Sequence, residues 1–256
     1  MPTNKSLGQH WLTDRTVLAT IADSAELTPD DTVLEIGPGL GTLTSELLRR
    51  AGRVVAVEFD SELARKLPGQ FPGKHLEVTN QDILQFDLSS LPADYKVVAN
   101  VPYYITSKIV EMLMTAKNKP SIAVLLVQKE VAERLAAHPG DMSILAVSAQ
   151  IYAEVELGIR VTKDYFTPPP KVDSQVVILR TRAMSLVPPE DERALFRVVK
   201  AGFANRRKKL RSSIAAGLAL TKPQAEELLR HANIDPELRA EDLSIEQWLR
   251  LAKDAV

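Results

Sequence analysis

Hydrophobic positions along this chain fall into two alternating rhythms. Short apolar runs rich in β-branched residues occur at Val33–Ile36, Val54–Val57, His75–Val78, Lys96–Ala99, Ile122–Val127, Val155–Val161 and Val172–Leu179. Such runs, bounded by turn residues, read as buried strands. Between them, apolar residues recur at helical spacing. Val17, Leu18, Ile21 and Ala22 follow a cap at Thr13 or Asp14, and Leu40, Leu43, Leu47 and Leu48 follow a glycine turn. Further helices are expected over Ser61–Lys66, ended by Pro68-Gly69, over Ser107–Lys117 and over Gln128–Ala137. Ser143–Ile151 is apolar and fits helix or strand. Strands alternating with helices predict an α/β protein with a doubly wound sheet up to about residue 180.

Pro188-Pro189 marks a change of pattern. Beyond it Leu195, Val199 and Phe203 share one helical face, and helices are expected over Pro223–His231 and Ile245–Ala252. The chain therefore reads as a sheet domain over 1–185 and a small all-helical domain over 186–256.

Candidate chemistry concentrates at the first strand's end. Thr32-Val33-Leu34-Glu35-Ile36 runs into Gly37-Pro38-Gly39-Leu40-Gly41-Thr42. Glycines here let a ligand approach bare backbone. The dinucleotide fingerprint G-x-G-x-x-G wants its third glycine at the sixth place. This loop is G-x-G-x-G, with Thr42 at that place and no lysine for a phosphate. The next strand ends in Glu58, 17 residues after Gly41. An acid there can accept from both hydroxyls of a ribose. The combination suits a nucleoside without a pyrophosphate, such as S-adenosylmethionine (SAM). Asp82, beyond the following strand, is either a turn cap or an acceptor for an adenine amino group.

The strand ending at Ala99 runs directly into Asn100-Val101-Pro102-Tyr103-Tyr104. Pro102 holds Val101 extended and removes a backbone donor. A side-chain oxygen, a backbone carbonyl and an aromatic ring together suit a planar base bearing an exocyclic amine. Further on, Phe166-Thr167-Pro168-Pro169-Pro170 places an aromatic beside a stiff extended loop. Phe166 is either core or one face of an aromatic sandwich around such a base.

Composition narrows the classes. The chain has 256 residues, 45% apolar and 25% charged, with no cysteine and a net charge of −1. Disulfides and thiolate metal sites are excluded, which suits a cytoplasmic protein. The four histidines show no metal-ligand spacing, so no metal is expected. No apolar run reaches membrane-spanning length, and no membrane association is expected. Charge is uneven: between Phe196 and Ala216 lie seven basic residues and no acid. Arg206, Arg207, Lys208, Lys209 and Arg211 are either a solvated run or contacts to RNA phosphates.

Taken in order, these stretches resemble the small-subunit ribosomal RNA adenine dimethyltransferase family (the KsgA/RsmA and Dim-type enzymes). Lys5–Leu12 is similar to that family's K-x-L-G-Q-[NH]-F-L arm, and Glu35–Thr44 to its E-I-G-P-G-x-G-x-L-T loop. Asn100–Tyr103 resembles N-[LIV]-P-Y, Phe166–Ser174 resembles F-x-P-x-P-K-V-D-S, and Ala201–Leu210 resembles A-x-F-x-x-R-R-K-x-L. The resemblance implies a Rossmann-like SAM-dependent methyltransferase sheet with a C-terminal helical RNA-binding domain. It turns residues 1–13 from a loose tail into an arm over the cofactor site. His10, Leu12, Gly37, Gly39, Glu58, Asp82 and Asn100 would line the site for SAM and its product S-adenosylhomocysteine. Asn100, Pro102, Tyr103 and Phe166 would hold the target adenine, the two aromatics as a sandwich. The implied partner is the small ribosomal subunit, the implied reaction two methyl transfers to the 6-amino group of each of two adjacent adenosines near the rRNA 3′ end, and the expected state a monomer. Two departures are visible: Trp11 stands where the family has Phe, and Tyr104 stands where many members have Asn. Three other readings compete: a large-subunit dimethyltransferase of the macrolide-resistance type, an assembly factor with methylation secondary, and a nicotinamide oxidoreductase, which the missing third glycine disfavours.

Overall fold

A computed structural model describes residues 10–255; Lys5–Gln9 of the expected arm lie outside the described residues. By compactness the chain divides into two units. One runs up to Glu133 and resumes over Ala153–Thr181; the other comprises Arg134–Tyr152 and the chain from Arg182 onward. An uninterrupted cut at 185/186 therefore does not describe this division. Residues 134–152 group with the C-terminal helices: Gly140 N and Met142 N donate to the Glu241 carbonyl at 2.9 and 3.1 Å, and Ile144–Gln150 is a helix rather than a further sheet strand.

The first unit contains strands β1 (Trp11–Leu12), β2 (Thr32–Ile36), β3 (Arg53–Glu58), β4 (Leu76–Asn80), β5 (Lys96–Asn100), β6 (Ile122–Gln128), β7 (Ala153–Val161), β8 (Phe166–Thr167) and β9 (Ser174–Thr181). Its helices are α1 (Arg15–Asp23), α2 (Thr42–Leu47), α3 (Ser61–Gln70) and α4 (Thr106–Thr115), and α5 (Lys129–Leu135) begins in it. Seven strands form one sheet in the order β4-β3-β2-β5-β6-β9-β7. The first five are mutually parallel, whereas β9 runs antiparallel to both β6 and β7. The sheet is therefore mixed, parallel over five strands and antiparallel where β9 pairs. The link from β7 to β9 carries no crossover helix, and a parallel pair needs one.

Local sequence accounts for most boundaries. Asp14 caps α1, its Oδ1 accepting from Val17 N at 2.9 Å. Leu18, Ile21 and Ala22 of that helix are buried, as their spacing requires. The α3 helix runs past the expected stop to Gln70 with Pro68 inside it. Pro68 sits in the last turn, so it removes only one helical bond. Central strands β2, β3, β5 and β6 are buried almost end to end, matching their unbroken apolar runs.

The second unit holds α6 (Ile144–Gln150), α7 (Glu192–Phe203), α8 (Leu210–Gly217), α9 (Lys222–His231) and α10 (Ile245–Asp254). Leu195, Val199 and Phe203 are buried, as the helical face predicted. Trp248 of α10 is fully buried, its ring 5.5 Å from that of Phe203. A Cβ on Gly202 would meet the Trp248 ring at 2.4 Å, so α7 is close-packed there. Thr221 and Ser244 begin α9 and α10 with reciprocal capping boxes.

Candidate active site

The carboxyl ends of β2, β3, β4 and β5 open into one cavity of about 220 Å³. Ligands of open α/β sheets bind at this end of the strands. Its wall carries Gly37 and Gly39 after β2, Glu58 and Phe59 at the tip of β3, Asp82 after β4, and Asn100 through Ile105 from β5 onward. His10, Trp11 and Leu12 complete it from the N-terminal side.

The glycine turn adopts a backbone that favours glycine. Gly37, Gly39 and Gly41 all have positive φ, at 67°, 57° and 80°. A Cβ on Gly37 would meet nothing within 4 Å, so its backbone stands open, whereas one on Gly39 would lie 2.4 Å from the Trp11 ring. Glu58 is tied to this turn. Its Oε2 accepts from Gly39 N at 3.0 Å and its Oε1 from Asp60 N at 2.9 Å. Each oxygen keeps a further lone pair. Burial pushes the Glu58 carboxyl above its ordinary value, and these two backbone donors pull the other way. Asn80 Nδ2 donates to the carbonyls of Glu58 and Phe59 at 2.9 and 3.0 Å, fixing the strand tip. Asp82 is both a cap and a wall residue: Oδ1 accepts from Leu84 N at 3.0 Å while the residue lines the cavity.

Sequence reasoning passed over Glu35. It sits inside β2, is 1% exposed, and lines the cavity. Oε2 accepts from the Thr44 hydroxyl at 2.6 Å, and Oε1 has no partner among the described residues. Burial pushes its carboxyl up to about 8; the Thr44 hydroxyl opposes this and the nearby Glu58 charge adds to it. The signal available beforehand was a lone acid inside an apolar strand run.

The N-terminal arm is held at three points. Trp11 and Leu12 form the short strand β1 against Thr167 and Phe166 of β8. Thr42 Oγ1 donates to the Leu12 carbonyl at 2.9 Å, and His10 Nδ1 is 2.7 Å from the Pro168 carbonyl. The Trp11 indole Nε1 is buried without a partner among the described residues.

At the β5 end, Asn100 Nδ2 makes a long 3.5 Å contact with the His10 carbonyl, which leaves Oδ1 for another group. The Pro102 carbonyl already accepts from Ile105 N at 3.2 Å and Thr106 Oγ1 at 3.4 Å. Val101 N is held by the Leu126 carbonyl at 3.1 Å. Tyr103 is locked: its hydroxyl is 2.7 Å from Ser174 Oγ, and its ring stacks on His10 at 6.0 Å with 23° between planes. Ser174 is fully buried and belongs to the Val172-Asp173-Ser174 stretch. Nothing in sequence alone pointed from it to Tyr103.

Phe166 does not join this group. It is 3% exposed and packs in the core cluster with Leu12, Leu18 and Val176. Directly opposed residues of a strand pair share a face, so pairing with the buried Leu12 turns Phe166 inward and Thr167 outward. The expected aromatic sandwich of Tyr103 and Phe166 is therefore not formed in this structure, and core packing is what the geometry delivers.

The basic cluster, in the second unit, is also divided. Lys209 pairs with Glu237, and Arg211 pairs with Glu226 at 3.3 Å and with Glu237. Arg206, Arg207 and Lys208 are exposed at the turn between α7 and α8 and make no ion pair with a described residue. Among the described residues no group of three or more His, Cys, Asp or Glu lies together to hold a metal, and no helix is long and apolar enough to cross a membrane.

Comparison with known proteins places this geometry among relatives. The family described as Ribosomal RNA adenine dimethylase matches residues 2–255. Ribosomal RNA small subunit methyltransferase A of Dehalococcoides mccartyi (strain CBDB1) is 43% identical over 251 residues, covering 96% of this chain and 86% of that protein. The protein of the same description from Alkaliphilus metalliredigens is 40% identical over 261 residues, covering 98% and 91%. Among solved structures, a dimethyladenosine transferase from Plasmodium falciparum superposes with TM-score 0.83 at 29% identity, covering 94% of this chain and 96% of that one. The 23S rRNA methyltransferase ErmE gives TM-score 0.79 at 33% identity, covering 95% and 98%.

Proposed function

Because the chain belongs to the ribosomal RNA adenine dimethylase family, we propose that it transfers methyl groups from SAM to the 6-amino group of two adjacent adenosines near the 3′ end of small-subunit rRNA, as a step in small-subunit biogenesis in the cytoplasm. The observation that carries this reading is one cavity gathering Gly37, Glu58, Asp82 and Asn100 at four neighbouring strand ends. Higher identity to the small-subunit methyltransferases than to the 23S enzyme, 43% against 33%, favours the small subunit.

The residues present fit SAM. Gly37 leaves its backbone open to a ligand, and Glu58 presents a lone pair on each oxygen for a ribose diol. Glu35 holds an orphaned oxygen in the same cavity wall, suited to a hydrogen-bond donor on the ligand. His10 and Leu12 close the arm side, and Asp82 keeps Oδ2 for an adenine amine. When bound, SAM supplies an electrophilic methyl on a sulfonium.

The chain's own part is to make a poor nucleophile presentable. An adenine 6-amino lone pair is delocalised into the ring. Asn100 Oδ1 and a main-chain carbonyl accept the two amine hydrogens, which favours a pyramidal nitrogen with its lone pair turned towards the methyl. Since the Pro102 carbonyl is engaged by Ile105 and Thr106, the Val101 carbonyl takes the second role. Pro102 still matters, because it holds Val101 extended. Tyr103 offers the ring face not covered by His10. Holding both reactants in line supplies up to ~7–11 kcal/mol of the barrier. A duplex base must leave its stack first, so a loop or strand end is the easier target. In the second unit, Arg206, Arg207 and Lys208 contact RNA phosphates; Lys209 and Arg211 chiefly brace Glu237.

The test is transfer of labelled methyl to small and large ribosomal subunits isolated from cells lacking this modification. Dimethyladenosine in the small subunit is expected. Label in the large subunit alone would move the protein to the 23S group, and tight binding without label would make it an assembly factor.

A further inference from the structure

Resting on the adenine-methylation reading, we propose that Tyr104 stacks on the base beside the target adenine and holds the flanking nucleotide at the cavity mouth. Three observations carry it. Tyr104 is 67% exposed, yet it lines the cavity as part of the short turn that also presents Tyr103. Scattered exposed apolar residues are ordinary on a surface; an exposed aromatic on the wall of the reaction cavity is a different matter. Neither Tyr103 nor Phe166 is free for this work. Tyr103 is pinned through Ser174 with one ring face against His10, and Phe166 is in the core. Among the aromatics of this cavity wall only Phe59, at 63%, is comparably exposed, and it stands on the β3 tip next to Glu58. The β3 and β5 ends are separated by β2, about 10 Å at ordinary strand spacing. Phe59 therefore faces the cofactor end and Tyr104 the base end.

The placement follows from exposure. A side chain this open cannot enclose the base whose amine reaches Asn100. It can carry the neighbour that remains outside when the target enters. A flipped nucleotide leaves its neighbour unstacked on one face, and an aromatic side chain restores that contact. The contact is tolerant of base identity, because every base has a π-face.

The experiment has two arms. In the first, KM and kcat for unmodified small subunits are measured for the wild-type protein, Tyr104→Ala, Tyr104→Asn and Tyr104→Phe. Base–aromatic stacking corresponds to a KM rise of roughly 5- to 150-fold for Ala and Asn. The rise should exceed any fall in kcat, SAM affinity should stay within about twofold, and Phe should retain wild-type KM. In the second arm, a short RNA with one adenine flanked by 2-aminopurine is added to saturating protein with S-adenosylhomocysteine. Wild-type and Phe proteins should quench the 2-aminopurine and the Ala protein should not. Unchanged KM in the Ala protein, or no difference in quenching between wild-type and Ala, overturns the proposal. The quenching arm needs no methyl transfer. A wild-type protein that methylates neither subunit counts against the dimethyltransferase reading while Tyr104 is still scored.

Discussion

Replacing Glu35 by Gln should make the protein more resistant to alkaline pH in the absence of added cofactor. Glu35 is 1% exposed, with one oxygen bonded to Thr44 and the other orphaned. Its carboxyl, ordinarily near 4.5, is pushed up to about 8 by burial. Between those values the folded protein holds a proton that the unfolded chain has released. The folded state then binds more protons, so stability falls as pH rises. The slope is ~1.4 kcal/mol per pH unit until the folded carboxyl itself ionises. From 4.5 to about 8 this amounts to at most ~5 kcal/mol, and from pH 5.5 to 8.5 to ~3 kcal/mol. Glutamine matches the protonated acid in shape and can accept from Thr44, but it never ionises. The two proteins should be equally stable to within ~1 kcal/mol at pH 4.5, where both side chains are neutral in the folded state. The variant should lead by ~1.4 kcal/mol at pH 5.5 and by ~5 kcal/mol at pH 8.5, so that over this range the gap widens by ~3 kcal/mol, or roughly 6–12 °C in Tm. Glu58 is raised by burial too and contributes in the same direction in both proteins. Urea or thermal unfolding across this pH range reads the difference directly. A gap between the two proteins that does not change with pH would refute the account of Glu35 as a buried, protonated acid.

Ser174→Ala removes the 2.7 Å partner of the Tyr103 hydroxyl, and a lost bond of this kind costs ~1 kcal/mol. Stability should fall by about that amount while kcat falls further than KM rises, and unchanged kinetics would detach Ser174 from the site. Asn100→Ala should abolish methyl transfer with SAM affinity held within about tenfold; a retained rate would remove Asn100 from its role. Gly39→Ala places a Cβ 2.4 Å from the Trp11 ring, whereas the Cβ of Gly37→Ala meets nothing within 4 Å. In a Trp248→Phe background, Gly39→Ala should shift Trp11 fluorescence and Gly37→Ala should not, and identical spectra would contradict the packing. Changing Arg206, Arg207 and Lys208 together to Ala should lower the slope of log affinity against log salt for RNA by ~2, at ~0.7 per phosphate contact; the same change at Lys209 and Arg211 should do less, because acids already pair with them.

What was legible in the sequence was what lies close together in it. The glycine turn, Glu58 and the Asn100–Tyr103 stretch each combine a strand end with chemistry a few residues away, and sheet order alone brings them to one cavity. Ile144–Gln150 stayed ambiguous because a short buried apolar run carries no decisive period. The antiparallel edge was hidden for a related reason: the direction of β9 depends on what the link from β7 lacks, not on β9 itself.

Phe166 shows where local reasoning ends. Nothing in Phe166-Thr167-Pro168 decides which way the ring points. The decision is made by the arm, more than 150 residues earlier, when Leu12 pairs with Phe166 and Trp11 with Thr167. A slip of one residue in that two-residue ladder would exchange the faces, sending Phe166 out and Thr167 in. The register is held by contacts outside the ladder: Thr42 to the Leu12 carbonyl at 2.9 Å and His10 to the Pro168 carbonyl at 2.7 Å. The same arm thus lines the cofactor wall with His10, Trp11 and Leu12, covers one face of Tyr103, and keeps Phe166 in the core. Cofactor wall and base wall are coupled through one short strand, so a change that loosens the arm must disturb both.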